Sequence, residues 1–280
     1  MTAEIFIIIP VHNRKEFTRQ CLHSLQHQTV TDHCIIVIDD GSTDGTSEML
    51  ISEFPEVIVL SGNGSLFWTA AINRGIRHAL TLGAEYILTF NNDTQASENF
   101  LEKMLAFARP NILLGALDVD LKTKIPFYGG ELIDWKWSRS SFLLHNLNEK
   151  DHHGLHEVSL YPGRGLLIHK TVFEAIGLFE EKKLPHYMAD YDFTLMARRH
   201  GFKIYCNYDA ILLTYPEESG DYKLRRKKSI RNYFLHLFGI RGGGNLRNFS
   251  VYTFRNCPLK YLPASLLTGY LRRIGGYWLK

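Results

Sequence analysis

Cysteine is scarce: the 280 residues hold four, Cys21, Cys34, Cys206 and Cys257, and no two share a Cys-x-x-Cys spacing. That argues against a zinc site or a redox pair, and buried thiols in a reducing cytoplasm are expected instead of disulfides. Long apolar runs are missing too. The run Ile5-Phe6-Ile7-Ile8-Ile9 lies between Glu4 and Pro10, too short for a signal peptide or a membrane-spanning helix. No Gly-x-Gly-x-x-Gly follows it, which argues against a nicotinamide-dependent dehydrogenase. The segment Val11-His12-Asn13-Arg14-Lys15-Glu16 is not the glycine-rich basic loop with which a nucleotidyltransferase holds a triphosphate. Internal repeats and low-complexity tracts are also absent.

With 45% hydrophobic and 22% charged residues, the chain has the make-up of a globular protein with a sizeable core. Strand candidates at 5–9, 34–38, 57–60 and 86–90 alternate with helix candidates at 14–28, 43–53, 68–82 and 97–107. Phe17, Cys21, Leu22 and Leu25 form one apolar stripe with Asn13 as N-cap, and Ala70, Ala71, Ile76 and Ala79 form another. Such alternation implies βαβ units and a mainly parallel, twisted sheet flanked by helices. After Pro110 the alternation weakens, through Tyr128-Gly129-Gly130, Trp135, Trp137 and the His/Asn-rich stretch 145–156. Order returns with a glycine-broken strand at 160–168 and helices at 170–176 and 191–201.

Three apolar runs break into polar chemistry at their ends, where α/β sheets place ligands. The endings are Pro10-Val11-His12-Asn13, Asp39-Asp40-Gly41-Ser42-Thr43-Asp44-Gly45-Thr46 and Asn91-Asn92-Asp93-Thr94; a fourth segment reads Ala189-Asp190-Tyr191-Asp192-Phe193. In order and spacing, over roughly the first 215 residues, this set resembles the inverting, nucleotide-sugar-dependent glycosyltransferases of family 2. The family's Asp-x-Asp stands here as Asn91-Asn92-Asp93 and its Glu-Asp-x-Asp as Ala189-Asp190-Tyr191-Asp192. The resemblance implies a GT-A, Rossmann-like α/β fold. Residues 1–220 would be catalytic, with 1–110 binding nucleotide and 111–220 binding acceptor, and 221–280 would form a basic helical extension. The stretch around Trp68 and Asn91–Thr94 is similar to bacterial rhamnosyltransferase-like surface-polysaccharide enzymes, which makes dTDP-rhamnose a candidate donor.

The resemblance also implies roles. Asp40, with Asp39 beside it, is the candidate for the base of a UDP- or dTDP-sugar, because a carboxylate accepts from the imide N–H of uracil or thymine. A turn and helix cap would account for the same residues structurally. Pro10, Val11, His12 and Asn13 would wall the base pocket, and Asn92 would serve the ribose. Asp93 is left to bind Mn²⁺ or Mg²⁺. With the second acid of the pattern absent, and no histidine in Leu212-Leu213-Thr214-Tyr215-Pro216, that cation would be weakly held. Ser65 and Trp68 in a glycine-rich loop, with Asn73 and Arg164, are candidates for the donor's sugar and diphosphate. Asp190 is the candidate base toward the acceptor hydroxyl, with His186, Tyr187 and Asp192 on the acceptor side. Two acids two residues apart cannot share a helical face, so at most one should meet the hydroxyl.

The net charge of +3 hides an asymmetry: residues 221–280 carry 13 Lys and Arg against Asp221 alone, a net of +12, leaving −9 for residues 1–220. Tyr233, Phe234, Leu237, Phe238, Leu266, Tyr270 and Trp278 interleave with those charges. Basic and aromatic together suggest an anionic membrane surface rather than nucleic acid, placing the protein at the inner face of the cell membrane beside a lipid-linked glycan acceptor. The competing reading packs these aromatics on the catalytic body or a second subunit, a homo-oligomer included. The reduced acid content of both motifs leaves a non-enzyme alternative, a nucleotide-sugar-binding or scaffold subunit.

Overall fold

The computed structural model describes residues 5–218, 226 and 228–279. Strands β1 (Ile5–Val11), β2 (His33–Asp39), β3 (Ile58–Ser61) and β4 (Tyr86–Thr89) lie in the order β3-β2-β1-β4, all parallel. Helices α1 (Lys15–Gln26), α2 (Thr46–Glu53) and α3 (Phe67–Thr81) make the crossovers. A strand covered on both faces needs apolar side chains on both. In β1, Ile7 and Ile9 join the cluster of Cys21, Leu22 and Leu25 from α1, whereas Phe6 and Ile8 join Ala71, Ile72 and Ile76 from α3. Burying each isoleucine contributes about 1.5–3 kcal/mol. At Gly75, a Cβ would lie 2.3 Å from Ile8 Cγ2, so a larger residue would push α3 off the sheet. The sheet order departs from β1 in both directions, which opens a crevice at the carboxyl ends of β1, β2 and β4.

Beyond β4 the sheet is mixed. It adds β5 (Thr94–Ala96), β6 (Ile112–Asp120), β7 (Pro126–Tyr128), β10 (Leu155–Glu157), β11 (Leu166–His169) and β12 (Lys203–Thr214), while β8 (Glu131–Asp134) and β9 (Arg139–Phe142) form a separate hairpin. Strand β11 runs antiparallel between β4 and β6; β6 pairs parallel with β12, whose far edge takes β10 and β5 antiparallel. The parallel reading therefore holds for β1 to β4, and the sheet beyond β4 departs from it. Local breaks hide β6 and β12 from a periodicity argument: Gly115 lies against the Tyr161 ring, where a Cβ would come within 2.5 Å, and β12 shifts register between Asn207 and Ile211.

Helices α4 (Phe100–Phe107), α5 (Lys170–Ile176) and α6 (Ala189–Arg199) complete the body. Asn13 does not cap α1: its φ is 52°, Arg14 takes the cap position, and the Asn13 amide oxygen accepts from Thr43 N at 2.7 Å. The extension holds α7 (Ile230–Phe238), α8 (Leu246–Asn256) and α9 (Leu262–Leu279). It is tied to the body by Arg255 and Asn256 on Asp192, by Arg199 on Asn256, and by Ser138 with Ser265. Among the described residues no helix is long and apolar enough to cross a membrane. The four cysteines are free, three buried and Cys34 half-buried.

Candidate active site

The β1 and β2 ends meet in register, Pro10 opposite Ile38 and Val11 opposite Asp39. His12 Nδ1 lies 2.7 Å from the Asp40 carbonyl, so that nitrogen carries the proton and donates. Asp39 is buried; it accepts from Ser42 N at 3.0 Å and from the Ser47 hydroxyl, holding its own turn. Asp40, also buried, accepts from Gly64 N at 2.8 Å and from Leu66 N at 2.9 Å, one per carboxylate oxygen. These bonds clamp the loop 62–66 over the end of β2. Any nucleobase contact by Asp40 therefore shares oxygens already engaged, each of which still has acceptor capacity.

That clamp sets the next layer. Ser65 is exposed, and its hydroxyl donates to Asn63 Oδ1 at 2.6 Å. Trp68 opens α3, donates from Nε1 to Asn91 Oδ1 at 3.1 Å, and packs edge-on against Phe179. The opposite wall is the glycine loop: a Cβ on Gly163 would fall 2.2 Å from Trp68 Cζ2, so only glycine lets the indole lie there. Gly163 N also donates to Asp190 Oδ2 at 3.0 Å, joining Trp68, the glycine loop and the head of α6. Met188 precedes that helix at φ 72°, a backbone rarely adopted by a non-glycine residue and characteristic of functional sites. Burial raises the Asp190 carboxyl above the usual range, against the pull of Gly163 N and Tyr191 N. The Tyr191 hydroxyl donates to Glu131, a nearly buried acid whose own carboxyl is also raised by burial.

Asp93 is not an open carboxylate. Arg14 Nη1 sits 2.5 Å from its Oδ2, both side chains keeping a fifth to a quarter of their exposure. Across from it, Arg164 donates from Nε to Asp118 Oδ2 at 2.9 Å and from Nη2 to the same oxygen. Asp118 has no exposure, and among the described residues its Oδ1 has no hydrogen-bond partner. Burial pushes its carboxyl up to about 6 although Arg164 pulls it down, and Asp93 adds to the rise. Burial opposes the charge on Arg164, but Asp118 and, more weakly, Asp93 keep it protonated. Arg14, Asp118 and Glu131 escape motif reading; an acid inside the apolar run Ile112–Asp120 was the available signal for Asp118.

Three candidates point elsewhere. Asn73 is buried and clamps the loop before α6, donating to Phe179 O at 2.8 Å and Glu181 Oε2 at 2.7 Å and accepting from Phe179 N. Asn92 donates to Thr18 Oγ1 at 3.2 Å and so faces α1 instead of a ribose. Asp192, at 1% exposure, is held by Arg255 Nε at 2.9 Å and Asn256 Nδ2 at 2.7 Å, which takes it off the acceptor side. The His186 and Tyr187 rings meet edge-on, their centroids 4.7 Å apart, near Phe67. Burial, then the charge of Arg241, lower His186 to about 4, so it is neutral at pH 7. Arg241 itself comes from the extension and lies 5.9 Å over the Phe67 ring.

The residues present do not fit a preformed divalent-cation site. Asn91 Oδ1 is engaged by Trp68, Asp93 by Arg14, and no three His, Cys, Asp or Glu cluster for a metal among the described residues. A hard cation prefers several oxygen ligands, and this strand end offers one shared carboxylate.

An uncharacterised glycosyltransferase of Rickettsia typhi is 32% identical over 196 residues, covering 67% of this chain and 56% of the relative. Its Rickettsia prowazekii counterpart matches with the same identity and coverage, so the chain spans just over half the length of these relatives. The glycosyltransferase GlyA of Streptococcus pneumoniae is 28% identical over 103 residues, 36% of this chain and 14% of that one. In three dimensions the chain is similar to S. aureus TarS residues 1–349, with a TM-score of 0.57 at 14% identity, covering 98% of this chain and 91% of that one. That likeness carries the GT-A fold. The sequence model of glycosyl transferase family 2 matches residues 6–176, well over half the chain, and the protein belongs to that family.

Proposed function

We propose that this protein is an inverting glycosyltransferase that moves a sugar from a UDP- or dTDP-sugar to a hydroxyl of a growing, lipid-linked surface glycan, with dTDP-rhamnose a candidate donor. The observation that carries the reading is Asp190. A carboxylate with raised proton affinity, oriented by Gly163 N, lies beside Trp68 and Arg164 at the crevice formed by the strand ends. Such a group can take the proton of an acceptor hydroxyl as the nucleoside diphosphate departs from the opposite face of the anomeric carbon. Pro10, Val11, His12, Asn13, Asp39 and Asp40 would hold the base, while Ser65 and Trp68 would face the sugar. His186 and Tyr187 would line the acceptor. The expected Mn²⁺ or Mg²⁺ finds no adequate ligand set among the described residues.

Nucleoside diphosphate release across a donor panel, with a glycan acceptor, tests this reading. Asp190→Asn should bind donor as wild type does and lose transfer by roughly 10²–10⁴-fold. Donor binding without turnover for any acceptor would favour the second reading, a nucleotide-sugar-binding subunit, for which the occupied Asp93 speaks. The extension would bring the body to the inner face of the cell membrane. Phe234, Phe238, Leu267, Leu271 and Trp278 are exposed on α7 and α9, interspersed with Arg231 and Arg272.

A further inference from the structure

Arg14 belongs to none of the four recognised motifs, yet it joins two of them. It directly follows His12 and Asn13 on the loop after β1, and its guanidinium reaches Asp93 at the end of β4. Its position is set from the backbone: the Arg14 carbonyl accepts from Thr18 N and Thr18 Oγ1, both at 2.9 Å, and Cζ lies 5.2 Å from the Phe17 ring. The pair keeps about a quarter of the arginine and a fifth of the aspartate side chain exposed, so a ligand can reach it. Asp93 also acts on Arg164 and Asp118, which places two guanidiniums and two carboxylates within electrostatic reach of one another.

That foursome is neutral when both acids are ionised, whereas a nucleoside diphosphate brings uncompensated negative charge. In a site of this kind a divalent ion would need oxygens that Trp68 and Arg14 already engage. A guanidinium carries five N–H donors in a planar fork, enough to hold a carboxylate and a phosphate together. We propose that Arg14 takes the place of the divalent cation: it neutralises Asp93 in the free protein and binds the donor diphosphate in the loaded one, so that nucleoside diphosphate binds without metal. This rests on the donor-site reading above.

The test is calorimetric titration of the full chain with UDP, dTDP and UMP, in chelator and in Mn²⁺, for wild type, Arg14→Ala and Arg14→Lys. Wild type should bind UDP or dTDP equally well in chelator and in Mn²⁺. In chelator, Arg14→Ala should lose roughly 10- to 100-fold in diphosphate affinity, as expected for a charge-assisted hydrogen bond, and Arg14→Lys should recover part of it. UMP, which lacks the second phosphate, should bind wild type and Arg14→Ala within about threefold of each other, which also shows that the variant is folded around its base pocket. Wild-type binding that vanishes in chelator overturns the proposal. So does an Arg14→Ala variant that binds UDP like wild type in chelator, or one that loses UMP and UDP equally. A wild type that binds no nucleotide in either buffer overturns the donor-site reading itself, and the proposal with it.

Discussion

Asp118 lies within the buried stretch of β6, fully removed from water, with Arg164 on one oxygen and, among the described residues, no hydrogen-bond partner on the other. Its carboxyl titrates near 6 in the fold, above the ordinary aspartate value near 3.9. Between about pH 4 and 6 the folded state therefore binds more protons at this site than the unfolded state. Its contribution to stability is fully present below about pH 4 and is lost as pH rises through about 6, by on the order of 1–3 kcal/mol. Urea unfolding of wild type and Asp118→Asn across that window measures it: the difference between the two should change with pH in this direction. A pH-independent difference would remove Asp118 as a titrating group. Acids at strand ends were legible as candidates because the loops that carry them break apolar runs. Their partners were not: Arg14 and Arg164 are 79 and 46 residues away from the carboxylates they engage.

At the scale of elements, α6 divides two acids between two jobs. Neighbours two apart on a helix point to different sides, so the separation of Asp190 from Asp192 could be read from spacing. Which one the extension would engage depended on α8, which brings Arg255 and Asn256 onto Asp192 while Asp190 meets Gly163 N. Removing that carboxylate takes the shorter contacts from both partners and leaves Arg255 with Glu180 and Asn256 with Tyr252 O. Asp192→Ala should cost about 1–3 kcal/mol in urea unfolding, since the Arg255 side chain is 29% exposed and regains some hydration. Nucleotide affinity, measured by calorimetry, should be unchanged. A variant as stable as wild type but dead in transfer would return Asp192 to the acceptor. Loop 62–66 follows the same logic, since the Asp40 carboxylate holds it beside the local bonds of Ser65 to Asn63.

Over the whole molecule, the extension divides its apolar residues between the body and the surface. Tyr252 packs near Trp135 and α8 docks on α6, so part of the apolar content covers the body. Phe238 and Leu271, at 61% and 62% exposure, do not. Deleting the extension would unpair buried Asp192, so point changes are the cleaner probe. Full-length protein should float with anionic vesicles and less so in high salt. The triple variant Phe238→Ser, Leu271→Ser, Trp278→Ser should float poorly while binding nucleotide normally. Wild type that ignores anionic vesicles would sink the membrane role. The segment 219–225, where the charge shift begins, lies outside the described residues.

By itself the sequence determined the parallel half of the sheet, the three loops at its carboxyl edge and the acids they present, because these follow from local apolar periodicity and its interruptions. The antiparallel β11, the β6–β12 pairing and the inward packing of α8 were decided only by tertiary structure. Each depends on contacts between distant segments, such as Tyr161 over Gly115, that leave no local period. The same holds for the chemistry: sequence placed Asp93 in the crevice, and the fold placed Arg14 upon it.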